Sequence, residues 1–121
     1  MILTATTHSI ELQTSAAIST DWVTSWVEHT AAGGTPGSAQ GNVATATTVT
    51  IVAAPGAGAS RQLKSLSVRN RGASPQTVII KKDVSGTEYH VTPVISLAAG
   101  EAAAWTDHGG WQILDVNGRP L

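Results

Sequence analysis

Short runs of β-branched residues alternate with clusters of turn-forming residues along this chain. Two of the runs are ATATTVTIVA at residues 44–53 and TVIIKKDV at residues 77–84, and the clusters that border them are APGAGAS and RGASPQ. Gly and Pro interrupt regular structure at these clusters, whereas Val, Ile and Thr favour strands. No segment keeps the apolar period of an amphipathic helix convincingly. The sequence therefore predicts an all-β fold.

The length of the chain and its lack of cysteine limit how such strands are stabilised. The 121 residues suit a single domain, and without Cys the chain has neither disulfides nor Cys-ligated metal centres. We predict one antiparallel β-sandwich over residues 14–121, jelly-roll-like and with about seven or eight strands. Residues 1–13 are interpreted as an amino-terminal arm or edge strand. Deleting them is expected to weaken association between copies more than folding.

The second half of the chain gives the sharpest local predictions. Leu66 and Val68 alternate with polar residues, which predicts a strand with one buried face. The dipeptide Ser85-Gly86 predicts a two-residue hairpin turn, because Gly accommodates the positive φ that such turns require. Residues 108–110 (HGG) predict a further turn between two strands.

Four tryptophans stand out in a chain that contains no Phe. We interpret DWVTSWVEHT as a strand that places Trp22 and Trp26 on one face, followed by a long exposed loop over the Gly-rich residues 31–42. Trp22 and Trp26 are candidate contact residues, because Trp is enriched at interface hot spots and stacks on sugars. Trp105 and Trp111, on facing strands of a predicted hairpin, are interpreted as core residues.

Acidic and basic residues are distributed unequally along the chain. Residues 1–60 carry three acids and no base, and the remainder carries seven bases against five acids, so the halves have net charges of −3 and +2. This asymmetry either favours contact between the halves of different copies or reflects an uncharged first half.

Several basic residues cluster in sequence near the middle of the chain. A stripe across two neighbouring strands would contain Lys64, Arg69, Arg71, Lys81 and Lys82. We expect Arg69, Arg71, Lys81 and Lys82 to contact an acidic protein surface, where they would steer association more than hold it. Nucleic-acid binding is not expected, because the net charge is −1 and few aromatic residues are present for base stacking.

No group of residues points to catalysis or to a cofactor. The histidines are His8, His29, His90 and His108, and they lack the short spacing of metal ligands. Asp107 and His108 fit a polar turn, and Glu88 and Glu101 fit a solvated surface better than a glycosidase pair. No apolar run reaches the roughly 18 residues of a membrane span, and no secretory signal is recognised. We therefore expect a non-enzymatic protein without cofactor, metal or membrane partner.

Four segments of the chain carry a family likeness: TATTVTIVAAP, RQLKSLSVRNRGASPQTVIIKKDVSGTEYHV, SLAAGEAAAW and GGWQILDVNGRPL. Together they resemble small virion structural proteins of tailed bacteriophages, and the likeness extends from about residue 20 to residue 121. The resemblance implies a β-rich, head-associated protein of the decoration or cement type. Such proteins bind outside a capsid lattice, often as a dimer or trimer.

Two function hypotheses follow from the resemblance and the residue pattern together. In the first, the chain is a capsid decoration protein that binds the major capsid protein and self-associates as a homodimer or homotrimer. It would be made in the host cytoplasm and reside on the capsid exterior of the virion. In the alternative, it is a tail, fibre or host-recognition module in which Trp22 and Trp26 stack on surface glycans.

Overall fold

The computed structural model describes residues 1–121 as eleven strands joined by turns and loops, without a helix. The strands are β1 (Ile2–Leu3), β2 (His8–Thr14), β3 (Thr20–Thr30), β4 (Gly33–Val43), β5 (Thr48–Val52), β6 (Ser60–Asn70), β7 (Gln76–Val84), β8 (Thr87–His90), β9 (Ile95–Leu97), β10 (Ala102–Thr106) and β11 (Gly110–Leu114). All strand pairings are antiparallel. The predicted all-β class is confirmed.

The strands form two sheets that pack face to face around one apolar core. The first sheet has the order β11-β10-β6-β3-β4, and β1 pairs with β6 as well. The second sheet has the order β5-β2-β7-β8, and β9 pairs with β7. The predicted β-sandwich is confirmed, with eleven strands instead of seven or eight. The additional strands include the short strands β1 and β9. They also include β4, whose residues were predicted to form a loop.

The strand β6 lies in the middle of the first sheet and carries much of its buried face. Leu66 and Val68 are 1% and 0% exposed, which confirms the alternation predicted for this strand. The register between β3 and β6 shifts by one residue at Lys64. A bulge of this kind changes the phase of the strand, so Leu63 and Leu66 both point into the core.

Residues 1–13 are part of the sandwich and do not form a detached arm. They supply β1 and most of β2, and β2 lies between β5 and β7 inside the second sheet. Leu3, Ile10 and Leu12 belong to the core and are at most 2% exposed. Burial of each such side chain is worth about 1.5–3 kcal/mol. Deleting residues 1–13 therefore removes part of the core, contrary to the expectation that folding would be less affected than association.

Residues 31–42, predicted as a loop, form most of β4 and pair with β3 along its whole length. Their glycines leave room for the indole rings of β3. A Cβ atom at Gly37 would lie 2.6 Å from Trp26 Nε1, and one at Gly41 would lie 2.8 Å from the Trp22 ring. Glycine weakens an isolated strand, but here the aromatic side chains of the neighbouring strand cover the bare backbone. This cover explains why the loop prediction is wrong.

The predicted hairpin turn between β7 and β8 is confirmed. Ser85 and Gly86 have φ values of 53° and 89°, as both central residues of a type I′ turn require. The hairpin of β10 and β11 also forms around the predicted turn and places Trp105 directly opposite Trp111.

Two buried amide side chains connect loops at one end of the sandwich. Asn70 and Gln76 are both 0% exposed. The Asn70 Nδ2 donates to the carbonyls of Ser74 and Leu97, at 2.8 and 3.0 Å. Gln76 bonds both the N–H and the carbonyl of Ala16. Because these amides satisfy loop backbone groups inside the protein, the loops at this end are fixed to the sheets.

Candidate functional site

Trp22 and Trp26, the candidate contact residues, lie on the inner face of the first sheet. Both rings are half-buried and pack against the core, and Thr24 between them is fully buried. The Arg61 guanidinium lies 4.8 Å from the centre of the Trp26 ring, in a cation–π contact. The structure thus brings the two tryptophans onto one face, as predicted, but most of each ring is used in packing.

Trp105 and Trp111 also pack against the core and remain half-buried. Trp111 borders an open groove of about 270 Å³ between β11 and the segment that connects β8 to β9. The other apolar residues that line the groove are Val91, Pro93, Ile95 and Ile113. The groove joins two segments that are distant in sequence, so no local pattern could have predicted it.

The predicted basic stripe is divided between the two sheets. Arg69 and Arg71 lie at the end of β6 in the first sheet, whereas Lys81 and Lys82 lie on β7 in the second. The strands β6 and β7 are consecutive in sequence but are not neighbours in a sheet. Lys82 donates to the carbonyl of Ile2 at 3.1 Å, and Arg69 is exposed. The four residues therefore do not form one contact surface.

The acids of the first half meet bases of the second half within one molecule. Asp21 pairs with Arg71 at 3.3 Å, and Glu28 pairs with Arg61 at 2.9 Å. The Asp21–Arg71 pair is exposed, and a pair of this kind contributes little to stability. The Glu28–Arg61 pair is more buried. Together the two pairs account for the charge asymmetry of the sequence without a second copy of the chain.

A small group of charges surrounds Lys81 on the outer face of the second sheet. Lys81 is 7% exposed, and its Nζ lies 2.5 Å from the Glu88 carboxylate. Glu11 lies opposite Lys81 on β2, and its Oε1 is buried without a hydrogen-bond partner. Burial raises the pKa of Glu11. The negative charges of Glu88 and Asp83 raise this pKa further, whereas the positive charge of Lys81 lowers it. Lys81 is therefore paired with Glu88 within this cluster and is not free to bind a partner.

The residues considered for catalysis have separate structural partners. Lys64 donates a hydrogen bond to Asp107 at 3.0 Å and thereby holds the pKa of that carboxyl below its usual value. The His108 side chain is 96% exposed and lies 3.8 Å from Asp107. Glu101 accepts a hydrogen bond from the Ala98 N–H. Nowhere do three His, Asp or Glu side chains gather as a metal site requires.

The outer face of the first sheet carries small uncharged side chains around Ser25 and Ser65. Ser25 of β3 lies opposite Ser65 of β6, and their hydroxyls are 2.5 Å apart. Beside them, Val23 is 52% exposed and faces Ser67, which in turn lies opposite Ala104 of β10. The centre of this face shares the lack of charge of protein interfaces, whereas its serine and alanine residues are less common there.

Charged residues lie at the margin of this face. Asp21 and Arg69 are opposite each other on β3 and β6, next to the pair of Val23 and Ser67. Charges at the rim of an interface steer association and add little affinity. Of the four basic residues predicted as contacts, Arg69 is thus placed where that role is possible.

No protein-family model matches this chain, and neither a curated protein nor a solved structure matches it. The fold contains no helix of the length and apolar character needed to cross a membrane.

Proposed function

We propose that this chain is a non-enzymatic virion structural protein that decorates the outside of a capsid lattice. The observation that supports this function is the outer face of the first sheet, with exposed Val23 among small serines and with Asp21 and Arg69 at its margin. Interfaces between proteins have depleted charge at the centre and polar residues at the rim. The family resemblance of residues 20–121 supplies the partner, the major capsid protein.

Stabilisation of a shell requires only that the protein binds assembled subunits better than separated ones. Binding to the assembled lattice then shifts the assembly equilibrium by mass action. Many copies act on one shell, so a modest affinity at each site is sufficient. The sandwich suits this role, since the core between its two sheets holds the strands of the contact face together.

The test is co-sedimentation of the purified protein with capsid shells that lack it, titrated to saturation. We expect saturation at a fixed ratio to the major capsid subunit. Val23→Glu places a charge at the centre of the contact face and should weaken binding at least about tenfold, which corresponds to about 1.4 kcal/mol. Ser96→Glu, at an exposed position of the second sheet, is the matched control and should bind normally. Absence of saturable binding, or equal loss in both variants, would contradict the proposal.

The groove beside Trp111 supports a second candidate function, recognition of surface glycans by a tail or fibre module. Half-exposed indole rings stack on sugars, and Thr92 and Gln112 are the polar residues that line the groove. In this candidate function the sugar stacks on Trp111, whereas the rings of Trp22 and Trp26 pack over Gly41 and Gly37 of β4. A glycan screen should then give hits that Trp111→Ala abolishes and Trp22→Ala leaves intact. A screen without hits would remove this candidate.

A further inference from the structure

The free edge of β4 differs from the other edges of the two sheets. It is eleven residues long, GGTPGSAQGNV, and carries no charged side chain. An exposed strand edge presents unpaired N–H and C=O groups, and natural proteins normally protect such edges with charges, short strands or covering segments. This edge has Pro36 as its only such device.

The remaining edges are short or covered. At the β11 edge, Pro120 bridges Leu114, and the N–H of Leu121 donates to the carbonyl of Ile113 at 2.9 Å. The edge strand β8 has four residues and includes Glu88. The edge strand β5 has five residues. Only β4 is therefore both long and open.

Pro36 determines which residues of β4 face the free edge. Pro36 lies opposite Val27 of β3. Because Pro36 has no N–H, the two residues form a non-hydrogen-bonded pair, and the backbone nitrogen of Pro36 points away from β3 to the free edge. Because backbone direction alternates, Ser38, Gln40 and Asn42 also present their N–H and C=O groups to the free edge. The carbonyl of Ala39 instead lies within 3.5 Å of Thr24 Oγ1 on β3, as this alternation requires.

We propose that the β4 edge pairs with the same edge of a second copy of this chain, antiparallel across a two-fold axis centred on Gln40. In this register Gln40 lies opposite its own copy, and Ser38 lies opposite Asn42 of the second copy. All these positions have both a donor and an acceptor. A two-fold pairing is closed, so it uses up the open edge without forming a filament.

Neighbouring registers are less favourable. Centring on Ser38 would put Pro36 opposite Gln40 and lose a hydrogen-bond donor. Centring on Asn42 would extend the pairing beyond Val43, where β4 ends. The register centred on Gln40 pairs residues 37–43 and keeps Pro36 out of the hydrogen-bond ladder.

The composition of the edge favours a second copy as the occupant. Across a two-fold axis a strand faces its own residues, and like charges placed opposite each other are destabilising. A strand without charges avoids this repulsion. Its small residues let two backbones approach, and the half-exposed rings of Trp22 and Trp26 lie over Gly41 and Gly37 beside the edge. The second copy would extend the cover over these rings.

The first experiment compares Gln40→Pro with Gln40→Thr by sedimentation velocity over a range of protein concentrations. The wild-type chain and Gln40→Thr should form a dimer whose fraction rises with concentration. Gln40→Pro removes the central donor but points its nitrogen away from β3, as Pro36 does, so the fold should remain intact by circular dichroism. We expect the dimer dissociation constant to rise at least about tenfold. A wild-type chain that stays monomeric, or a Gln40→Pro variant that dimerises normally, would overturn the proposal.

The second experiment locates the axis without weakening the strand. The chain has no cysteine, so Gln40→Cys introduces a single thiol. Residues opposite each other in a hydrogen-bonded antiparallel pair have Cα atoms about 5.5 Å apart, which a disulfide can span. Gln40→Cys should form a covalent dimer under mild oxidation, and Ser96→Cys on the second sheet should not. Equal cross-linking of both variants, or a dimer that Gln40→Cys does not cross-link, would overturn the register.

These tests do not depend on capsid binding. If the chain saturates shells but remains monomeric in solution and on the shell, the edge proposal fails while the proposed function stands. If the chain dimerises through Gln40 but does not bind shells, the proposed function fails while the edge proposal stands.

Discussion

The hairpins at the two sides of the first sheet use tryptophan in different ways. In the β3–β4 hairpin, Trp22 and Trp26 lie on one strand and cover glycines of the other. In the β10–β11 hairpin, Trp105 and Trp111 lie on opposite strands and face each other. The first arrangement joins a side chain to a backbone, and the second joins two side chains.

This difference determines what each hairpin presents to its surroundings. Where tryptophan covers glycine, the outer strand needs no large side chains of its own and becomes a bare, uncharged edge. Where tryptophan faces tryptophan, the outer strand β11 contributes to the core, and the carboxy-terminal residues cover its edge. The same residue type thus supports an open surface on one side and a closed one on the other.

The largest expected effect comes from removing a ring of the paired tryptophans. Trp105→Ala should lower the free energy of unfolding by about 3 kcal/mol, because it removes a core contact and leaves Trp111 without its cross-strand partner. Trp22→Ala should cost about 2 kcal/mol, since the other side of its ring contacts only glycine backbone. Urea unfolding with matched m-values measures both. A larger loss for Trp22→Ala would reverse the comparison.

The next effect concerns the glycine under the ring. Gly41→Ala should destabilise the protein by about 2 kcal/mol, because the added Cβ would lie 2.8 Å from the Trp22 ring and must displace it. The control is Gly56→Ala, where a Cβ would meet no atom within 4 Å, and its effect should stay within about 0.5 kcal/mol. Thermal unfolding of both variants tests whether close approach, rather than glycine content, explains β4.

A smaller effect separates the two tryptophan pairs by coupling. In a double-mutant cycle, Trp105→Ala and Trp111→Ala should show a coupling energy of about 1 kcal/mol, because side chains directly opposite each other on antiparallel strands interact. Trp22→Ala and Trp26→Ala should be additive within about 0.5 kcal/mol, since each ring covers its own glycine. Strong coupling between Trp22 and Trp26 would mean that the two rings act as one unit.

The smallest effect is an acid response confined to the β10–β11 hairpin. Lys64 lowers the pKa of Asp107 in the folded state below its usual value of 3.8. The ionised carboxylate therefore stabilises the fold above that value, and the contribution is lost as the pH falls through the lower, folded-state pKa. As the pH is lowered through this pKa, amide hydrogen exchange near Asp107 should accelerate before amide exchange in β3 and β4 accelerates. Lys64→Met should abolish the difference, and a uniform acceleration would contradict it.

Much of the fold could be predicted from local patterns. Alternation identified β6, and the Ser85-Gly86 dipeptide identified the turn between β7 and β8, because both signals depend on neighbouring residues alone. The strand β4 could not be recognised, since its glycines form a strand only under the indole rings of β3. The buried roles of Asn70 and Gln76 were likewise missed, because each amide also bonds a backbone group distant in sequence, at Leu97 for Asn70 and at Ala16 for Gln76.

The candidate site was predicted less completely than the fold. Trp22 and Trp26 were assigned to one face correctly, but the sequence could not show that β4 would cover them. The basic residues of β6 and β7 looked adjacent because their strands are consecutive, and a crossing between sheets separates them. The uncharged face around Val23 and the open edge of β4 arise from register, which a single sequence does not display.

The position of β2 in the second sheet has a consequence for synthesis of the chain. Its neighbours β5 and β7 are made later, and β7 begins only at Gln76. At about 5–20 residues per second, β2 waits roughly 3–12 seconds for β7 to leave the ribosome. During this time β2 lacks one of its two neighbours in the sheet, so the position of Ile10 and Leu12 is secured only after β7 has been made. The rate of translation therefore sets how long the edge of β2 remains unpaired before β7 can join it.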